Sequence, residues 1–301
     1  MGDIAKVNNV DAADILSVGS VPKANIANIG AADMPAGGAS MWCIVGADGA
    51  VATAAHSDLN AWTGYVSADM GSSDYNFVAF GKDGSGNPRW VAVNSNGTKE
   101  ARYSSDPTVT DGWSNTNLAA GKLYAVLWGN DVWMAVGQNG TIFRSTDGAT
   151  WAAVDMSGTG WYTTGVDVRH LASDGAGKWM CGNDQNIFVS TDDGASWSIL
   201  YDCANAPISD SAYEVRGIAY TVASGTARWC CLVRKSGNTR VIHAPASDTS
   251  SWTLATVDGG AAGGQDIVHA TNRHIAAGGG TVMMVTADNY SRSTDGGQDW
   301  T

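Results

Sequence analysis

The sequence predicts an all-β protein: a six-bladed β-propeller with four-stranded antiparallel blades, preceded by an extended N-terminal arm. Three observations carry this expectation. The composition disfavours helices, Trp recurs in two fixed registers, and short apolar runs alternate with turn residues along the whole chain.

Among the 301 residues are 38 Gly and 13 Trp, and charged residues make up only 15%. Glu occurs just at Glu100 and Glu214, and Leu is sparse. Such a chain favours short strands joined by tight turns over helices, and no long run has the helical period.

Trp sets the register. One series opens apolar strands: WCIVG at Trp42, WVAVN at Trp90, WMAVG at Trp133, WMCGN at Trp179 and WCCLV at Trp229, with VMMVT at Val282 as the sixth member. A second series closes a turn: Trp62, Trp113, Trp151, Trp197, Trp252 and Trp300. The pattern accounts for eleven of the thirteen Trp and leaves Trp128 and Trp161. Each unit reads as an apolar strand, a marker strand, a Gly or Asn turn, a third strand, and a turn whose Trp starts a fourth strand. Units of 43 to 53 residues with four short strands are propeller blades.

The closing turn has its own phrase. STDDGASW runs from Ser190 to Trp197, STDGGQDW from Ser293 to Trp300, and STDGATW from Ser145 to Trp151 is one residue shorter. Decayed copies keep Asp58, Asp106 and Asp248. A short Asp or Ser side chain can accept bonds from turn N–H groups. Gly supplies a backbone conformation that other residues resist, and Trp buries a large ring. The phrase resembles the Asp box of sialidase-like (BNR-repeat) propellers. It matches at Ser190, Asp192, Gly194 and Trp197, at Ser293, Asp295, Gly297 and Trp300, and in shortened form at Ser145, Asp147, Gly148 and Trp151. The resemblance implies structural turns away from any central site, and a propeller over 38–301.

Residues 3 to 35 carry a different repeat, of 11 residues: DIAKVNNVDAA, DILSVGSVPKA and NIANIGAADMP. Its apolar set is Ile4, Val7, Val10, Ile15, Val18, Val21, Ile26 and Ile29. Spacing of three, interrupted by Asn, Gly and Pro, suits an extended arm with turns, and its apolar content predicts docking onto a partner. The arm is assigned to residues 1–37, although the first blade needs a strand ahead of Trp42, which NIANIG (Asn25–Gly30) or GASM (Gly38–Met41) can supply. Its text is similar to short N-terminal repeats of tailed-phage and marine-virus virion proteins. That resemblance implies a virion protein made in the host cytoplasm. Its partners would be other virion proteins, reached through the arm, and its propeller would be displayed on capsid or tail. The chain stops at Thr301, where a fourth strand of the sixth unit is expected. Either that unit has three strands or another segment completes it.

Chemistry-bearing motifs are few. The formal net charge of −12 argues against nucleic acid and anionic membrane surfaces. The opening MGDIAKVNNV lacks a signal-peptide pattern, and no apolar run is long enough to span a membrane. The five Cys have no zinc-ligand spacing and read as small buried residues. Of the five His, His269 and His274 lie near Asp266 without forming a ligand motif, so no metal, cofactor or catalytic set is expected. Sialidases resembling this fold use three Arg, a Tyr–Glu pair and an Asp. Glu214 follows Tyr213 and precedes Arg216, and alternation places Glu214 and Arg216 on one strand face as an ion pair. Trp128, Trp161 and Tyr162 are not demanded by the repeat and are candidate contacts for a host-surface glycan. The expected function is therefore a non-enzymatic virion structural protein. The alternatives are a sialidase-like glycosidase or glycan-binding propeller, and a cellular assembly-factor propeller.

Overall fold

In the computed structural model the described residues are 6–7, 10–11, 17–18, 21–22, 26–32, 41–55, 58, 60–94, 101–118, 121–157, 166–235, 238–257, 274–278, 281–285 and 290–300. They form two compact units, one over Lys6–Val154 and one over Asp155–Thr301.

The first unit begins with two minimal hairpins. Strand β1 (Lys6–Val7) pairs antiparallel with β2 (Val10–Asp11), and β3 (Ser17–Val18) pairs with β4 (Val21–Pro22). Lys6 faces Asp11 and Val7 faces Val10; eleven residues later Ser17 faces Pro22 and Val18 faces Val21. The 11-residue text is thus written twice as the same hairpin. Ile4 and Ile15 lie outside the described residues. The third copy behaves differently. Strand β5 (Ile26–Ala32) pairs along its length with β6 (Met41–Gly46), so Ile26 and Ile29 belong to the first sheet and the expected arm boundary at residue 37 falls too late. The physical reason is the continuous ladder that β5 makes with β6.

Strands β7 (Ala50–Ala55) and β8 (Thr63–Val66) complete that four-stranded sheet. The second sheet comprises β9 (Tyr75–Lys82), β10 (Pro88–Asn94), β11 (Ala101–Ser104) and β12 (Ser114–Asn115). The third comprises β13 (Leu123–Gly129), β14 (Val132–Gly137), β15 (Ile142–Ser145) and β16 (Ala152–Ala153). Period-two alternation along β10 splits its side chains between two cores. Trp90 and Ala92 join Val51, Met70 and Trp113 toward the first sheet, while Val91 and Val93 join Leu123, Val126 and Trp133 toward the third. The marker Trp90 and Trp133 are fully buried. Each such ring withdraws on the order of 200 Å² from water, worth about 5 kcal/mol before entropy is counted.

The second unit holds two more four-stranded sheets. The first has β17 (His170–Ser173), β18 (Trp179–Gly182), β19 (Asn186–Ser190) and β20 (Ser198–Asp202). The next has β21 (Glu214–Ala223), β22 (Thr226–Lys235), β23 (Asn238–Pro245) and β24 (Thr253–Leu254). Strand β25 (Thr256–Val257) follows. Strands β26 (His274–Gly278), β27 (Thr281–Val285) and β28 (Tyr290–Ser293) form a three-stranded sheet among the described residues. Strand β29 (Asp299–Trp300) pairs in parallel with β25, and Trp300 is fully buried. All five Cys are buried and free. Burial pushes the Cys203 and Cys230 thiols up to about 12, which makes them inert packing residues.

The three well-kept Ser-x-Asp turns share one bonding scheme. The Ser hydroxyl donates to the Asp carboxylate at 2.9 Å (Ser145–Asp147), 2.7 Å (Ser190–Asp192) and 2.7 Å (Ser293–Asp295). The same hydroxyl accepts from the N–H of Gly148, Gly194 or Gly297 at 2.8, 2.9 and 2.7 Å. The indole N–H of Trp151, Trp197 or Trp300 donates to that Gly carbonyl at 3.1, 3.1 and 3.0 Å. The shortened copy removes one residue before the Gly and keeps every bond of this scheme. Burial alone pushes these carboxyls up. Hydrogen bonds outweigh it and hold Asp147, Asp192 and Asp295 below the ordinary carboxylate value. In the decayed copies the Asp still closes a short turn, with Asn60, Thr108 or Ser250 donating to Asp58, Asp106 or Asp248.

Candidate functional site

In the two four-stranded sheets of the second unit, antiparallel order sets which groups meet at which end. The start of the first strand and the turn between the second and third lie together. The Ser-x-Asp turn, between the third and fourth, lies at the opposite end. A cavity of about 370 Å³ opens at the former end, lined by Val166, Asn183, Asp184, Gln185, Asn186, Ser211, Ala212 and Glu214. Val166 precedes β17, Asn183 to Asn186 turn β18 into β19, and Ser211 to Glu214 lead into β21.

The turn is held locally. The Asn186 N–H donates to Asn183 Oδ1 at 3.2 Å and the Asn183 N–H to the Asn186 carbonyl at 3.1 Å. The Val215 N–H donates to the Asp184 carbonyl at 2.5 Å, tying the two sheets together at the cavity. Glu214 and Arg216 form the expected ion pair, both partly exposed. Arg216 bulges the ladder between Val215 and Gly217. Burial lowers the Arg216 pKa, the positive Arg169 and Arg234 lower it further, and Asp184 opposes them. Nearby, Lys235 donates to Asp210 at 2.5 Å, and that bond holds the Asp210 carboxyl below its usual value. Arg169 pairs with Asp167 at 2.6 Å, and the Arg240 guanidinium lies 5.1 Å from the Tyr213 ring centre. The cavity therefore presents amides, a hydroxyl and two carboxylates within a frame of arginines. That lining suits a polar, hydrogen-bonding ligand. Among the described residues no group of three His, Cys, Asp or Glu is placed to hold a metal ion.

The sequence singled out Glu214 and Arg216, which do meet here. It missed Asn183, Asp184, Gln185, Asn186 and Ser211. Their only signal was a turn richer in polar side chains than its counterpart GQNG in the preceding unit. Trp128 lies elsewhere. It faces Trp133 across β13 and β14, half-buried, and a Cβ on Gly81 would fall 2.2 Å from its Cγ. Phe80 and Tyr220 occupy the same place opposite Trp90 and Trp229, with ring centres 5.0 and 4.9 Å apart. Packing thus accounts for Trp128. Trp161 and Tyr162 lie outside the described residues, as do His269 and Asp266.

No family model matches the chain, and no curated protein matches it. Solved structures do. A structure of YCF48 bound to D1 peptide aligns with a TM-score of 0.60 at 15% identity, over 92% of this chain and 80% of that one. An ancestral GH74 enzyme aligns at 0.62 and 13% identity, over 92% of this chain and 38% of the enzyme. The extracellular domain of the one component system BT4673 from B. thetaiotaomicron aligns at 0.59 and 10% identity, over 88% and 32%. All are β-propellers with four-stranded blades. The fold is that of a β-propeller. Each four-stranded sheet is a blade, and the cavity sits where two consecutive blades meet, at the end away from the Ser-x-Asp turns.

Proposed function

We propose that this chain is a non-enzymatic interaction protein of the virion: a six-bladed propeller of the Asp-box class, displayed on capsid or tail and anchored through its N-terminal repeats. The observation that carries this reading is the repeated hairpin. Two copies of one 11-residue unit, in identical register, precede the first blade. A two-residue hairpin cannot stabilise itself in water, so a tandem of them is suited to adding onto a partner's surface. The three shared Ser-x-Asp schemes support the Asp-box assignment, and the peptide-bound neighbour supports an interaction role for such a blade ring. The test is mass spectrometry of purified virions from the source virus. Recovery of the protein at stoichiometric level, and its loss when residues 1–25 are deleted, is the expected result; its absence from virions refutes the reading.

A second reading is favoured by the cavity. Asp184 and Glu214 both line it, and a glycosidase needs two carboxyls flanking one bond. The likeness to a GH74 enzyme supports the same direction. Glycan binding with turnover that Glu214→Gln or Asp184→Asn abolishes would establish this reading. Binding without turnover would leave a lectin-like display domain.

A further inference from the structure

The junction between the first two blades contains a buried cation that no described acidic residue pairs with. Arg102, on β11, is only 3% exposed, and its Nε has no hydrogen-bond partner. No salt bridge joins it to any described acidic residue. Asn94, at the end of β10, is fully buried, and neither its Oδ1 nor its Nδ2 has a partner. Its counterpart two blades on, Asn183, has its Oδ1 closed by the Asn186 N–H at 3.2 Å. The lone amide is therefore peculiar to this blade.

The two side chains belong to one place. Ala92 faces Arg102 across β10 and β11, so Asn94, two residues along, is the diagonal neighbour of Arg102 on the same face. Such neighbours are about 7–8 Å apart at the backbone, within reach of a long side chain. That face is the one whose Trp90 and Ala92 pack toward the first blade. A third unpartnered polar atom, Ser67 Oγ, is on the same junction and fully buried. The Ser67 N–H donates to the Gly49 carbonyl at 3.1 Å, and the Gly49 N–H donates to Ser73 at 3.0 Å, two residues before Tyr75, the β9 partner of Asn94.

We propose that Arg102 and Asn94, with the Ser67 hydroxyl on the same junction, form an internal binding site for a small monovalent inorganic anion such as chloride. A buried guanidinium without a counter-charge is costly, and a buried amide without partners adds to the cost. One small anion answers both, accepting from the Arg102 and Asn94 N–H groups and balancing a single positive charge. The guanidinium repels cations, and its single positive charge matches a monovalent anion. The rival counter-charge is Glu100, two residues earlier in sequence and outside the described residues.

The test is thermal unfolding of the full chain in buffers of equal ionic strength, with sodium chloride, bromide or gluconate as the only salt. Crystals grown in bromide would be read by anomalous scattering. The wild type should melt on the order of 2 °C higher in chloride and bromide than in gluconate. Arg102→Gln should erase that difference, and a bromide peak should lie within hydrogen-bond distance of the guanidinium. Equal melting in all three salts with no bromide peak overturns the proposal. So does a Glu100→Gln variant that melts lower by the same amount in every salt while the wild type shows no anion preference. If Arg102→Gln fails to fold, the bromide peak in the wild type decides alone.

Discussion

Cys230 Sγ donates to the carbonyl of Gly296 at 3.0 Å, joining the marker strand of the fifth blade to the Ser-x-Asp turn of the next sheet. A Cβ on Gly297 would lie 2.2 Å from that sulfur, closer than any real contact, and Gly297 has φ of +87°. The turn is seated against its neighbour as well as closing its own sheet. Gly148 repeats the relationship with more room, its nearest contact being Val91 at 3.0 Å. Gly297→Ala should therefore destabilise the protein by about 2–4 kcal/mol, from left-handed strain plus overpacking. Gly148→Ala should cost less. Urea unfolding of the two variants checks the order, and equal losses would contradict it.

The Asp of each turn should matter in proportion to the bonds it accepts. Asp192 takes the Ser190 hydroxyl at 2.7 Å, the Ser196 N–H at 2.9 Å and the Ser196 hydroxyl at 2.5 Å. Asp248, in a decayed copy, takes the N–H and hydroxyl of Ser250, at 3.0 and 2.6 Å, and has Ala246 where the kept copies carry the bonding Ser. Asp192→Ala is expected to cost about 2–3 kcal/mol and Asp248→Ala clearly less. Denaturant midpoints would show this ranking, and a larger loss at Asp248 would sink it.

His243 predicts a pH dependence. Its ring is 7% exposed, with Nδ1 3.3 Å from Arg228 Nη1. Burial first, and then the positive Arg228, lower its pKa to about 4 against the opposing effect of Asp295. The folded value lies below the unfolded value near 6.5, so the unfolded chain binds the proton first. Stability is therefore at its full level above pH 6.5, falls between 6.5 and about 4, and is flat for this group below that. The gap is worth about 3 kcal/mol at most. The turn carboxylates act in a lower window, because their depressed values bring loss only as pH falls below the ordinary Asp range. His243→Gln should flatten the pH 4–6.5 limb of the stability curve and leave the more acidic limb intact. An unchanged limb would exclude His243 as its source.

Much of this fold was readable because Trp is conspicuous and the blade repeats it. Trp90, Trp133, Trp179 and Trp229 each stand in the first half of a buried second strand, and their spacing located the strands on either side. The turn bonds were readable for the same reason, since Ser, Asp and Gly act within a few residues of one another. Features made between blades left weaker traces. Arg89, Lys178 and Arg228 each precede a marker Trp, and each reaches the turn of the following blade. Arg89 lies against Gly148, Lys178 donates to the Ala246 carbonyl at 3.3 Å, and Arg228 lies against Gly296. The dipeptides RW, KW and RW were visible, but their partners stand 59 to 68 residues away along the chain. The cavity was hidden for the same reason: Asp184 and Glu214 are 30 residues apart in sequence, and no local pattern joins them. The third arm repeat could be read both ways, as arm or as first strand of the first blade, because its apolar spacing serves a ladder with β6 as well as it serves an arm.

Trp128 gives the sharpest test of packing against ligand contact. Its ring occupies the space over Gly81, and Lys82 Nζ lies 5.8 Å from the ring centre. If packing is its role, Trp128→Ala should cost about 2–3 kcal/mol, in the range for partly collapsible core sites. Gly81→Ala should also destabilise, because the new methyl group meets the ring at 2.2 Å from Cγ. The double variant should then be more stable than the two single losses predict, since the methyl enters the space the ring has left. A coupling of about 1–2 kcal/mol in a double-mutant cycle is the expected outcome. Strict additivity, together with an unperturbed stability in Trp128→Ala, would return Trp128 to the surface as a ligand contact.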